Sequence, residues 1–359
     1  MRIAIDAREL SGRPTGVGRY LAGILNAWAT LPDAESHDFV LCAPSPIDTA
    51  VSRRGRTSTV VSAGSGTWWE QRTLPRLIRQ SNADILFAPA YTAPLLSPVP
   101  IVVTIHDVSF AAHPDWFTLR EGWRRRTLTR LTALRAARVL TISEFSKREI
   151  TEHLKTNAAK IDVIYPGVPD LAVDRTQQSQ VQTILYVGSL FNRRHISELI
   201  DGFARLARRR NDVRLELVGD NRTTPHIEID RVAEASGVAD HIGRHAYLSE
   251  AQLAALYGRA RAFVFLSDYE GFGLTPLEAL SVGIPIVVLD TPVSREIYGA
   301  AALYVDRPEP VLIEAALERV LSDEAERLRI QSAASDTLAR YSWQTCAARV
   351  LDVLLACAH

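Results

Sequence analysis

Short apolar runs alternate with helical patterns along almost the whole chain, and no other feature limits the fold so severely. In the first half, "RIAIDA", "DFVLCAP", "STVVSA", "ADILFAPA", "PIVVTIHD", "ARVLTIS" and "KIDVIYPG" read as strands. Their apolar residues are consecutive, as in strands buried on both faces. Helical patterns at 16–31, 67–80, 120–137 and 144–154 separate several of them. A polar interval, "PDLAVDRTQQSQVQ" at 169–182, has no apolar stripe and reads as a linker. The alternation then restarts with "TILYVGS", "VRLELVGD", "RAFVFLS", "IPIVVLD" and "ALYVD", interleaved with helices at 195–210, 226–236, 249–258 and 276–282. The predicted class is α/β: two Rossmann-like domains, 1–168 and 183–340, with parallel sheets facing a central cleft. A last helix, 341–359, is expected to pack back on the N-terminal domain. Ligands of such sheets bind outside the C-terminal ends of the strands, so the cleft is the expected site.

The 359 residues suit two domains of ordinary size. Formal net charge is zero, so nothing global points to nucleic acid. The halves differ: residues 1–170 hold 21 basic and 16 acidic side chains, and residues 171–359 hold 20 and 25. The basic surface therefore belongs to the first half. Cys42, Cys346 and Cys357 are scattered, without the spacing of a disulfide framework or metal site. The N-terminus enters a strand directly, and no run approaches about 18 apolar residues, the length of a membrane span. These features predict a reducing, cytoplasmic setting.

Four loops carry the candidate chemistry. "EGFGLTPLEAL" places Glu270 and Glu278 around a glycine-rich turn after the strand "RAFVFLS". Thr275, Pro276 and Glu278 have the spacing of a capping box, with Gly283 ending the helix. On that reading Glu278 is only a cap. On the other, glycines before a helix N-terminus offer free N–H groups to a phosphate. Two carboxylates would repel the phosphate itself, but could bind the sugar hydroxyls that flank a nucleotide-sugar diphosphate. "VGSLFNRRH" sets Arg193 and Arg194 at a helix start after the Gly188 turn, where two guanidiniums could neutralise a diphosphate. A solvated basic turn is the plain alternative. "RPTGVGRY" is a glycine loop before a helix, without dinucleotide-fingerprint spacing. "VVTIHDVSF" ends a strand on His106-Asp107, which is either a core histidine or a site residue. His241 and His245 lack a nearby third ligand, so no metal site is expected.

Together these segments resemble the retaining family-four glycosyltransferases of the two-domain GT-B fold. The E-x7-E pair is Glu270 and Glu278 within "SDYEGFGLTPLEALSVGIPIVV", and "TGVGRY", "TIHD", "TISEFSK", "YPGV" and "YVGSLFNRRH" follow the family's order. The resemblance spans nearly the whole chain and implies a role for each residue. His106, Glu270, Arg193 and Arg194 would form the catalytic set, with His106 and Glu270 by the transferred sugar. Gly188, Arg193 and Arg194 would lie along the donor diphosphate, and the backbone of Gly16, Val17 and Gly18 would approach either that diphosphate or the acceptor side of the cleft. The backbone of Gly271, Phe272, Gly273, Leu274 and Thr275 would line the phosphate, and Glu278 would bind the ribose. The chain departs from the family at "RRH", where "RKN" is commoner.

The implied reaction moves a hexose from an NDP-sugar to a hydroxyl with configuration retained, and GDP-mannose is the first donor to consider. The implied setting is bacterial surface polysaccharide synthesis, with a saccharide or lipid-linked saccharide as acceptor. No D-x-D occurs, so neither a metal nor another cofactor is expected. An epimerase or hydrolase of nucleotide-sugars and a non-catalytic binding protein are the competing readings.

One surface remains. Residues 115–138 hold seven arginines against Asp115 and Glu121, with Trp116, Phe117 and Trp123 among them. Trp68 and Trp69 similarly accompany Arg72, Arg76 and Arg79. This composition suits the interface of an anionic bilayer. Alternatively, Leu128, Leu131 and Leu134 pack the helix on the sheet and the arginines are merely solvated.

Overall fold

The computed structural model describes residues 1–12, 16–47, 56–175 and 181–358. Arg13, Pro14 and Thr15 of the first glycine loop, and 176–180 of the expected linker, lie outside them. The chain divides into two compact units, Met1–Gly167 with Tyr341–His359, and Val168–Arg340.

The first unit holds β1 (Arg2–Asp6), β2 (Asp38–Ala43), β3 (Thr57–Val61), β4 (Ile85–Ala88), β5 (Ile101–Thr104), β6 (Arg138–Thr141) and β7 (Ile161–Val163). They form a seven-stranded sheet in the order β3-β2-β1-β4-β5-β6-β7, and every pair is parallel. β4 and β5 are buried at every position, which is why their sequences show no alternation. The helix Trp343–Cys357 belongs to this unit. Trp343 lies against Gly23 and Gly167: a Cβ at Gly23 would stand 2.6 Å from its ring, and one at Gly167 2.3 Å from its backbone nitrogen. Trp28 Nε1 donates to the Ala347 carbonyl at 2.8 Å.

The second unit holds β8 (Gln182–Val187), β9 (Val213–Val218), β10 (Ile242–His245), β11 (Ala260–Phe265), β12 (Ile286–Leu289) and β13 (Leu303–Val305). Their order is β10-β9-β8-β11-β12-β13, again with parallel pairs throughout. In both sheets the winding reverses beside the first strand, at β1/β4 and at β8/β11. Those switch points open a crevice at the strand ends for a ligand.

Among the elements that the sequence reading does not contain are an edge strand and a short helix. β10 is a four-residue edge strand in "HIGRH", with too little apolar content to declare itself. His241 Nδ1 lies 2.9 Å from the Val213 carbonyl and His245 Nε2 lies 2.8 Å from Glu216, so both histidines secure this edge. The helix Pro292–Tyr298 starts on a capping box of Thr291 and Ser294, a signal present in "TPVS".

Two expectations are corrected. The helix after the glycine loop is Leu274–Ser281, and its N-cap is Gly273 with φ of 86° and no side-chain cap. Tyr298 donates to the Gly273 carbonyl at 2.8 Å and holds that left-handed start. A Cβ at Gly273 would stand 2.0 Å from the Tyr298 hydroxyl, so only glycine fits. Thr275 is therefore not the N-cap, and Thr275 and Glu278 form no capping box. Glu278 is instead buried, and Tyr257 donates to it at 3.4 Å.

The second correction concerns the helix Leu119–Arg135. It buries Gly122, Thr129, Thr132 and Ala133, while Leu131 and Leu134 are 39% and 56% exposed. Leu131 and Leu134 therefore lie off its packed face and Leu128 is half-buried, so the buried positions of this helix are small residues.

Candidate functional site

The candidate residues of the second unit converge on its switch point. After β8 the chain turns at Gly188, with φ of 150°. A Cβ there would meet Arg194 Nη1 at 2.8 Å, so the glycine makes room for the guanidinium. Asn192–Arg194 forms a 3-10 turn, and His195 then takes a left-handed conformation before the helix Ile196–Ala207.

Arg194 reaches across to the loop after β11. Its Nε and Nη2 each lie 2.8 Å from Glu270 Oε1, and its Nη1 donates to the Ser189 carbonyl at 2.8 Å. The guanidinium lies over Phe265, 4.8 Å from the ring centroid. Burial works against its charge, but Glu270 and Tyr186 outweigh burial, and its pKa stands above the usual value. Ser267 Oγ also donates to Glu270 Oε1 at 2.8 Å. One oxygen of Glu270 thus takes all three contacts. Arg193 lays its guanidinium over Phe191 at 4.2 Å, with an aromatic face as support.

Gly271 and Phe272 are buried, and Gly273, Leu274 and Thr275 form the head of the eight-residue helix that carries Glu278 on its inner face. Glu270 and Phe272 line a small recess with Phe265, Ser267, Thr291 and Tyr298. The arrangement presents two guanidiniums, a helix N-terminus and an anchored carboxylate side by side. Such a group can hold an anion and orient a hydroxyl-bearing neighbour.

His106, Gly16, Val17 and Gly18 belong to the first unit. Gly16–Gly18 opens the helix Gly16–Trp28, whose Tyr20 meets the His106 ring edge-on at 4.9 Å. His106 Nε2 lies 2.8 Å from the Pro89 carbonyl, so Nε2 carries the proton and Nδ1 is left as an acceptor. Burial pulls the imidazole below its usual pKa, against Pro89 and Asp107, so it is neutral near pH 7.

Sequence reasoning missed a polar cluster of the first unit, at the end of β1 beside the β1/β4 switch point. Arg8 Nε donates to buried Asp6 at 2.9 Å and its Nη1 to buried Glu70 at 2.6 Å, and Thr92 donates to Glu70 at 2.9 Å. Burial raises the Asp6 pKa despite Arg8. The signal was the acid ending the first strand, two residues before an arginine. Ser267, Asp268 and Tyr298 were missed as well, since only the folded loops bring them to Glu270, His195 and Gly273.

Two Rossmann-like parallel sheets with this site describe a GT-B glycosyltransferase, and comparison with known proteins agrees. Residues 14–170 match the family model described as Glycosyltransferase Family 4, and residues 173–337 match Glycosyl transferases group 1. The chain belongs to the family-four GT-B glycosyltransferases. It is 25% identical over 330 residues to the O-antigen chain mannosyltransferase RfbU of Salmonella typhimurium, covering 88% of this chain and 90% of that one. It is 26% identical over 268 residues to the GDP-mannose:cellobiosyl-diphosphopolyprenol alpha-mannosyltransferase of Xanthomonas campestris, covering 70% and 67%. In fold it is similar to Anabaena Alr3699/HepE, solved in complex with UDP-glucose, with a TM-score of 0.78 at 17% identity, covering 99% and 100%.

Proposed function

We propose that this glycosyltransferase moves a hexose, with mannose as first candidate, from an NDP-sugar to a hydroxyl of a saccharide or lipid-linked saccharide, with anomeric configuration retained. The observation that carries this reading is the Arg194–Glu270–Ser267 cluster beside the head of the helix Leu274–Ser281. Arg193 and Arg194 take the diphosphate, and the backbone N–H groups of 271–275 assist. Glu270, anchored through Oε1, offers Oε2 to the transferred sugar. Glu278 takes the ribose hydroxyls. His106, neutral and with Nδ1 open as an acceptor, contacts the donor sugar.

The bond from the anomeric carbon to the diphosphate breaks as the acceptor oxygen bonds to that carbon on the same face. The acceptor proton passes to the departing phosphate oxygen. The arginines and the helix dipole stabilise the charge growing there, and the protein otherwise acts by positioning. Incubation with a panel of NDP-sugars and acceptors, read by mass spectrometry and anomeric NMR, tests this. Free sugar or an epimer from donor alone would replace the reading with a hydrolase or epimerase. Turnover is also expected to survive EDTA undiminished, because two guanidiniums supply the positive charge a metal would bring. Activity abolished by EDTA and restored by magnesium would contradict this.

The names of the mannosyltransferase relatives support mannose and a polyprenol-linked acceptor. The first unit supports docking at the anionic face of a membrane. Leu119, Trp123 and Leu134 are exposed on one stripe of the helix Leu119–Arg135. Arg124 Nη1 donates to Thr67 at 3.2 Å, setting exposed Trp68 beside that helix. Arg135 Nη1 donates to the Leu95 carbonyl at 3.0 Å, bringing exposed Leu96 to its other end. Arg72 lies over the Trp68 ring, and Arg120, Arg126 and Arg130 are exposed alongside. No helix among the described residues is long and apolar enough to cross a membrane.

Each basic residue near such a surface contributes about 1 kcal/mol. The protein is therefore expected to co-sediment with phosphatidylglycerol vesicles, less so as salt shortens the Debye length. Loss is expected when Arg124, Arg125 and Arg126 become Ser, and separately in Trp68→Ala/Trp123→Ala. Equal recovery in the supernatant with neutral and anionic vesicles would leave this face simply solvated.

A further inference from the structure

His195 departs from its family's pattern, and the proposed reaction does not use it. Its position is nonetheless specific. It is the N-cap of the helix Ile196–Ala207, with φ of 51° and ψ of 43°, a left-handed conformation that asparagine also tolerates. Its Nε2 lies 2.8 Å from Asp268 Oδ2, and its Nδ1 lies 3.6 Å from Glu198. Asp268 stands in the other loop of the site, between Ser267 and Glu270, and its backbone N–H donates to the Arg193 carbonyl at 2.9 Å. The side-chain and backbone bonds together tie the loop of Arg193 and Arg194 to the loop of Glu270.

We infer that His195, as an imidazolium clasped by Asp268 and Glu198, is a positioning residue that holds these loops together for the donor diphosphate. The inference rests on the reading that the second unit binds an NDP-sugar. Burial opposes the charge, but the hydrogen bond that His195 donates to Asp268 and the nearby carboxylate of Glu198 override it and bring the pKa up to about 9. Asp268 and Glu198 are the charged groups acting on the ring. A folded-state pKa raised above the ordinary histidine value gives stability that is fully present below about 6.5 and lost as pH rises through about 9. The clasp is closed at neutral pH and opens in mild alkali. An asparagine at this position keeps the left-handed backbone, is too short to reach Asp268 as Nε2 does, and does not titrate.

The test is calorimetric titration of the full chain with GDP and UDP between pH 7 and 10, on the wild type and on His195→Asn. Asn suits the left-handed backbone, so the variant is expected to fold. Wild-type affinity should hold to pH 8 and weaken by about tenfold as His195 loses its proton, within the usual range of coupling between sites. His195→Asn should start weaker and lack that limb. Titration of the nucleobase itself occurs with both proteins and cancels in the comparison.

Binding and protonation are reciprocal. The His195 ring resonance, assigned by its absence in His195→Asn, should therefore titrate near 9 and move up by about one unit with saturating nucleotide. Asp268→Asn should lower that midpoint. Wild-type affinity at pH 7 with the same alkaline limb in both proteins would overturn the clasp, as would a ring midpoint at the ordinary histidine value. Absence of any nucleotide binding by the wild type at pH 7 would instead sink the donor-site reading beneath it.

Discussion

Arg194→Ala is expected to lose both nucleotide affinity and stability, whereas Arg193→Ala loses affinity alone. The difference lies in what each guanidinium leaves behind. Arg194 lies 2.8 Å from Glu270, and their side chains are only 12% and 18% exposed. Removing it strands a shielded carboxylate, and a buried pair broken on one side destabilises by about 3–5 kcal/mol. Glu270 here keeps Ser267 as a donor and retains some solvent, so the low end, about 3 kcal/mol, is the expected loss. Arg193 instead rests on the Phe191 face, and its removal leaves the Arg194–Glu270 pair intact. For either residue, a lost charged hydrogen bond to the diphosphate weakens NDP binding by about 1.5–3 kcal/mol. Thermal melts and calorimetric NDP titrations on both variants separate these effects. Wild-type NDP affinity in both would remove the arginines from the donor site.

The strands were legible because their physics is local. A strand covered on both faces must be apolar at consecutive positions, and "DILFA" and "IVVT" state that without ambiguity. β10 was not legible, because an edge strand needs little apolar content and pairs only with β9. The helix start at Leu274 was misread for a different reason. The local pattern fits a threonine cap, but Tyr298, 25 residues on, holds Gly273 in a conformation that begins the helix earlier. The Leu119–Arg135 helix failed in the same way. Leucines at helical spacing usually mark the packed face, yet here the buried positions are threonine, alanine and glycine, while Leu131 and Leu134 are exposed. Of the candidate site, the loops and residue types were visible, while the partners were not. Arg194 meets Glu270 across 76 positions and His195 meets Asp268 across 73, relations created only by placing β8 beside β11.

The two glutamates of "EGFGLTPLEAL" should separate cleanly when each becomes glutamine. Glu278 does not cap its helix, so removing its charge should leave the helix start unaltered. It is buried beside Tyr257, which can donate to an amide oxygen as well as to a carboxylate. Glu278→Gln is thus expected to fold, and to weaken NDP and NDP-sugar binding alike by about 1.5–3 kcal/mol if the ribose hydroxyls lose a charged acceptor. Glu270→Gln should behave in the opposite sense. Its amide oxygen can still accept from Ser267, but its hold on Arg194 weakens. That guanidinium then turns more readily to a diphosphate, so NDP affinity is expected to hold or rise. Turnover should fall by about 10²–10³, the scale on which loss of one electrostatic group at a reacting centre is felt. Such a fall in kcat with ground-state binding preserved identifies an interaction made chiefly in the transition state. Paired measurement of Kd for NDP and kcat for transfer decides the assignment. If Glu270→Gln loses NDP affinity while Glu278→Gln loses only turnover, the two roles are exchanged. If neither variant changes either quantity, the pair is structural and the transferred sugar and ribose are held elsewhere.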